Sequence, residues 1–230
     1  MNGFAPFQER YVRVVEQLVA SPLVSVQHQE SGEDVLDGIG ADLVFATLAE
    51  KYDLHLDRVF RRLYFPSKKL HVVWRLTADS TRGGEFCLQN ITEWAVNGWR
   101  PDDWTMPPEE YAKLADLYTI DFEPHAGSGS VVLISVPERR PLSLGADTKV
   151  WYYDAGEHRL DPLDIDYTGY LDSVLLTAGA HEWQYLFADV NILREHPRVV
   201  DALELYLTIL PEIFPEHDYE PLRRRFDARM

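Results

Sequence analysis

The sequence predicts an α+β protein with a mainly antiparallel sheet of about five to six strands, helices packed at one face, and helices at both chain ends. Three observations predict this. Apolar residues recur at helical spacing near both ends, period-two alternation takes over in the middle, and glycine-containing turns separate the strand-like runs.

Phe7, Tyr11, Val14 and Leu18, with Glu9, Arg10, Arg13, Glu16 and Gln17 between them, predict an opening amphipathic helix that Pro22 ends. Residues 32–40 read as a polar, glycine-punctuated link. Leu43, Val44, Leu48 and Tyr52 suggest a second helix, and Val59, Phe60 and Leu63 a shorter one that stops before Pro66. In 70–76 the even positions are apolar and alternate with 71, 73 and 75, which is a strand pattern. Thr81-Arg82-Gly83-Gly84 turns this strand into a second one at 85–91.

Residues 97–104 read as a loop rich in breakers and tryptophan. Pro107 and Pro108 then start a helix with Tyr111, Leu114, Ala115 and Tyr118 on one face. Strands are expected at 120–123, 131–136 and 149–153, and Asp154-Ala155-Gly156 turns the chain back. Asp166 reads as the N-cap of a helix carrying Tyr167, Tyr170, Leu171, Val174 and Leu175, which Gly179 ends. A last helix runs from about Pro197 to Leu210, and the chain closes in a basic tail at 223–229.

The chain has 230 residues, 38 acidic side chains against 22 basic ones and a net charge of −16. That balance argues against a nucleic-acid partner, because phosphate recognition needs clustered Lys and Arg. A hydrophobic content of 46% is enough for a core. The single cysteine, Cys87, excludes an internal disulfide, and its apolar setting makes it a small buried hydrophobe. No run of about 18 apolar residues predicts a membrane helix. The first ten residues lack the pattern of a secretory signal, so a reducing cytoplasm is the expected setting. Asn90-Ile91-Thr92 fits a glycosylation sequon, which that setting would leave unused.

Catalytic signatures are missing. There is no phosphate-binding glycine loop, no dinucleotide fingerprint and no nucleophile elbow, and Gly127-Ser128-Gly129-Ser130 precedes a strand, as a tight turn would. His181-Glu182-Trp183-Gln184-Tyr185 begins like a zincin helix but has Tyr185 where the second histidine is required. The other seven histidines, at 28, 55, 71, 125, 158, 196 and 217, are scattered singly. The sequence therefore predicts no catalytic residues, no metal and no cofactor. Trp74 and Trp151 sit in strands and read as core, whereas Trp94, Trp99 and Trp104 read as interface candidates.

The negative charge is concentrated. Residues 102–123 hold seven acids against Lys113, and residues 154–172 hold six against Arg159, so these two segments supply eleven of the sixteen excess charges. Such charge reads either as a solvated face kept acidic for solubility or as a surface complementary to a basic protein partner, which it would steer electrostatically. The predicted contacts are Asp102, Asp103 and Trp104, then Asp161, Asp164 and Asp166.

Over roughly residues 107–187 the chain resembles the SMI1/KNR4 (SUKH) superfamily. Ile120-Asp121-Phe122-Glu123-Pro124-His125, the turn Gly127-Ser128-Gly129, the apolar strand 131–135 and Val150-Trp151-Tyr152-Tyr153-Asp154 stand like that family's central strands. Asp166-Tyr167-Thr168-Gly169-Tyr170-Leu171 is similar to its "Ser-Phe-x-x-Tyr/Phe-Leu" helix, and Pro108-Glu109-Glu110-Tyr111 to its "Leu-Pro-x-x-Tyr" start. The family's "Asn-Gly-Gly" turn is absent. The resemblance implies one SUKH-like domain over 1–230, with a helical extension at about 1–65 and a C-terminal helix at about 197–214. It also implies a non-catalytic binding protein, since bacterial members are mostly immunity proteins that neutralise toxins, often nucleases, and fungal ones take part in cell-wall regulation. Two competing expectations are a small-molecule or metal-dependent enzyme with histidines and carboxylates gathered in a cleft, and a regulatory scaffold without a toxin partner.

Overall fold

The structure, a computed structural model, describes residues 6–32, 40–97, 117–135, 142–144 and 148–230. It is α+β. The N-terminal part contains α1 (Phe7–Ala20), β1 (Val24–Ser31), α2 (Ala41–Tyr52), β2 (Leu54–Leu56), α3 (Arg58–Leu63), β3 (Lys69–Leu76) and β4 (Gly83–Gln89), then a π-helical turn, Glu93–Asn97. The second part contains β5 (Leu117–Phe122), β6 (Val131–Ser135), β7 (Leu142–Leu144), β8 (Lys149–Asp154), β9 (Arg159–Asp166) and α4 (Tyr167–Thr177). A 3₁₀ turn (Trp183–Leu186), α5 (Ile192–Glu195), α6 (Pro197–Ile213) and α7 (Glu220–Arg229) complete it.

The strands divide between sheets. β1-β3-β4 and β5-β6-β8-β9 are each antiparallel throughout, and β2 and β7 form a short parallel pair. The segment expected to be a helical extension thus supplies β1, which pairs with β3 from Val24 opposite Leu76 to Ser31 opposite Leu70. Tyr118, expected on a helix, lies in β5, and the rest of that helix falls outside the described residues. The basic tail is α7.

One apolar cluster runs from Phe7 through both sheets to Phe226. The predicted inner face of α1 (Phe7, Tyr11, Val14 and Leu18) is buried in it, each side chain contributing on the order of 1.5–3 kcal/mol. Trp74 is fully buried, and its indole N–H donates to the Ala178 carbonyl at 2.7 Å. Trp94 is buried edge-on against Tyr167 and so is core; Trp99 and Trp104 lie outside the described residues. Cys87 is buried as expected.

The sheets meet where β4 runs beside β5, and buried carboxylates cross the gap. Asp121 of β5 accepts the Cys87 N–H of β4 at 2.7 Å, and Glu85 of β4 accepts the N–H groups of His125 and Ala126 at 2.9 and 2.7 Å. A bulge in β5 between Thr119 and Asp121 shifts the register there. At the start of β4, the Glu85 N–H donates to the Gly179 carbonyl and the His181 N–H to the Gly83 carbonyl. These bonds satisfy outward-facing groups that would otherwise make β4 an open edge.

Candidate functional site

The acids predicted to meet a partner have internal roles wherever they are described. Asp166 caps α4, its carboxylate accepting the Gly169 N–H at 2.7 Å, as the sequence predicted. Asp161 is buried and accepts from Arg159 Nε at 2.7 Å. Asp164 takes both oxygens to Arg225 at 2.7 Å and one to Arg229 at 3.2 Å. Asp102, Asp103 and Trp104 lie outside the described residues.

This matching extends along the whole of residues 154–172. Asp154 and Glu157 face Arg198 at 3.7 and 3.0 Å, and Asp172 accepts from Arg10 at 2.6 Å. The arginines of α7 therefore turn back on the acidic segment, and Arg225 also lies over the Phe187 ring at 4.3 Å. In the other acidic segment, Asp121 is buried and Glu123 faces His181 at 3.4 Å.

Unpaired acid is instead exposed on α6. Asp201, Glu204 and Glu212 lie on one side of this helix, as spacings of three and eight residues dictate, and none has an ion-pair partner among the described residues.

The second feature is a group of histidines that strand register brings together. In β3, Leu70, Val72, Trp74 and Leu76 face the main core, so His71 and Val73 face the opposite side of the sheet. Pairing sets His71 opposite Cys87 and Val73 opposite Glu85, so His71 and Glu85 are diagonal neighbours on that face. β1 sets Glu30 opposite His71 and His28 opposite Val73. The turn after β5 lays His125 over them.

The rings of His28, His71 and His125 stand 4.6, 4.7 and 4.8 Å apart between centroids. His71 Nε2 is 2.8 Å from Glu85 Oε1, His125 Nδ1 is 3.3 Å from His71 Nε2, and His125 Nδ1 is 3.5 Å from Glu85 Oε1. Glu85 is fully enclosed and His71 nearly so, whereas the His125 side chain is 51% exposed. Burial works to raise the Glu85 carboxyl, but hydrogen bonds from His71 and from the His125 and Ala126 N–H groups outweigh it and leave the group below its ordinary range. His28 Nε2 lies 3.4 Å from Glu30, which Lys69 holds at 2.9 Å.

In the sequence these histidines stand singly, far apart along the chain. The one signal that could have found them is His71 at an odd position of a strand whose even positions are apolar. Comparison of the chain with protein-family models, curated proteins and solved structures finds no match. Among the described residues no helix is long and apolar enough to cross a membrane.

Proposed function

We propose that the chain is a non-catalytic protein-binding module of the SMI1/KNR4 kind, an immunity protein that covers the basic surface of a nuclease-type toxin. The observation that carries this reading is the unpaired acidic side of α6. The acids of residues 154–172 meet arginines of this chain or cap a helix, whereas Asp201, Glu204 and Glu212 are exposed together on one side of α6 and are free to attract a cationic partner. The order β5, β6, β8 and then α4 supports the family part of the reading, since it is the order that the resemblance implies, whereas β9 between β8 and α4 is an addition to it. The interface accordingly moves from Asp161, Asp164 and Asp166 to α6.

Co-expression with the product of a neighbouring toxin-like gene tests the function. The expected result is rescue of growth and a complex that survives size-exclusion chromatography. Replacing Asp201, Glu204 and Glu212 together by Lys should abolish rescue, and association should slow steeply as salt is raised. Rescue by the triple variant at the wild-type level would reduce the α6 acids to a solvating surface, and failure of the wild type to protect or bind would remove the immunity reading.

A further inference from the structure

We propose that His71, Glu85 and His125 form a binding site for one divalent transition-metal ion of the zinc class, on the face of the three-stranded sheet away from the main core and beneath the exposed ring of His125.

The spacing of the donor atoms supports this. Zinc bonds to nitrogen and oxygen of about 2.0–2.2 Å, in tetrahedral directions, set neighbouring ligand atoms roughly 3.3–3.5 Å apart. The three separations here are 2.8, 3.3 and 3.5 Å, so the atoms already outline one triangular face of such a site. Two imidazoles and a carboxylate are a borderline N/O set, suited to zinc rather than to magnesium or calcium, which take oxygen ligands. Three protein ligands leave a fourth position for a water molecule or another small ligand, and of the three only His125 is exposed to solvent.

The surroundings hold the ligands in place. Both oxygens of Glu85 are fixed by backbone N–H groups, Oε1 by His125 and Oε2 by Ala126. The His28 ring packs against both ligand rings, which makes it a positioning residue, and Glu30 and Lys69 steady it in turn. His28 Nε2 is itself enclosed without a well-formed hydrogen bond. Without a metal, a proton on His71 Nε2 serves Glu85, and that nitrogen has no second proton for His125 Nδ1 beside it. A cation at the common point would satisfy all three donors at once. It would also fasten the turn carrying His125 to β3 and β4, and so close one end of the junction between the sheets.

The test is metal binding by the purified full chain after treatment with a chelator, with zinc chloride as the probe and magnesium chloride as the control. Calorimetry should give one zinc per chain, and the melting temperature should rise with zinc but not with magnesium. His125→Ala removes the most exposed ligand, so it should leave the metal-free melting temperature near that of wild type and weaken zinc binding by about a hundredfold or more. His28→Ala should weaken it by roughly tenfold. His55→Ala, which alters a distant exposed histidine, should leave it unchanged.

No stoichiometric zinc binding by wild type would overturn the site, as would wild-type affinity in His125→Ala. Should that variant fail to fold, cobalt(II) added to wild type decides the matter: strong visible bands of four-coordinate metal support the site, and the weak spectrum of the six-coordinate ion overturns it. These readouts involve no partner protein, so they stand apart from the toxin-binding reading.

Discussion

Asp121 shows how a single side chain can set the response of the protein to pH. It is buried and accepts from Cys87 N–H, Phe122 N–H and, at 2.6 Å, the Tyr170 hydroxyl. Burial pushes its carboxyl up to about 8, and the hydrogen bonds only partly oppose this. In the unfolded chain the same carboxyl titrates near its ordinary value of about 4. Folding therefore takes up a proton between these values. The contribution of Asp121 is fully present below pH 4 and is lost as pH rises through about 8. Asp121→Asn keeps an acceptor for the two N–H groups and has no charge to bury. Urea denaturation from pH 5 to pH 8 should show wild type losing stability relative to the variant, by up to about 1.4 kcal/mol per pH unit. A constant difference would contradict the assignment.

Two neighbouring aspartates differ in a testable way. Asp166 satisfies a helix-terminal N–H, so Asp166→Ala should cost about 1 kcal/mol. Asp164 is half exposed, and despite its two arginines Asp164→Ala should cost less than about 1 kcal/mol. Thermal denaturation of the two variants side by side checks the order.

Among the elements, the turn after α4 shows why a small residue can matter more than a large one. α4 ends at Thr177, Ala178 and Gly179 both have positive φ, and the Gly179 carbonyl then accepts from Glu85 of β4. A Cβ on Gly179 would stand 2.7 Å from the Glu85 carbonyl oxygen and from the Phe86 ring. Gly84 faces it with equally little room, since a Cβ there would lie 2.6 Å from the Gly179 carbonyl oxygen. Gly179→Ala is expected to destabilise by about 2–4 kcal/mol, from overpacking and the left-handed backbone together. Calorimetric melting measures it, and a loss below about 1 kcal/mol would mean that the turn moves freely.

Elements with a clean apolar period were legible in the sequence. α1, β3, α4 with its Asp166 cap, and α6 lie where the spacing put them. β1 was not, because only Val24 and Val26 carry its inward pattern before an irregularity between Val26 and His28 shifts the register and turns His28 and Glu30 to the opposite face. β9 was hidden by Pro162 and its aspartates, which are tolerable because it is the outermost strand of its sheet. α7 looked like a charged tail, since its buried residues are only Leu222 and Phe226. The histidine group was illegible for a related reason. His28, His71, Glu85 and His125 come from three separate strands and a turn, and register between strands is a property of the folded sheet.

For the whole molecule, the charge of −16 is spread less evenly than linear counting suggests. Residues 154–172 are acidic in sequence and largely compensated in space, because Arg10, Arg198, Arg225 and Arg229 come to them from other elements. Segment arithmetic counts neighbours along the chain, whereas a partner meets neighbours on the surface, and there Asp201, Glu204 and Glu212 of α6 stand together without an ion-pair partner among the described residues.

The junction between the sheets has a further consequence for breathing motions. Where β4 meets β5, the Cys87 amide is guarded by the Asp121 side chain in place of a backbone ladder. Its deuterium exchange therefore reports parting of the two halves and not the melting of either sheet. Amides deep in β3 should exchange only on global unfolding, while the Cys87 amide should exchange through a smaller, separate opening, and faster still in Asp121→Ala. On that view the protein has a built-in parting line, along which one half can loosen while the other stays folded.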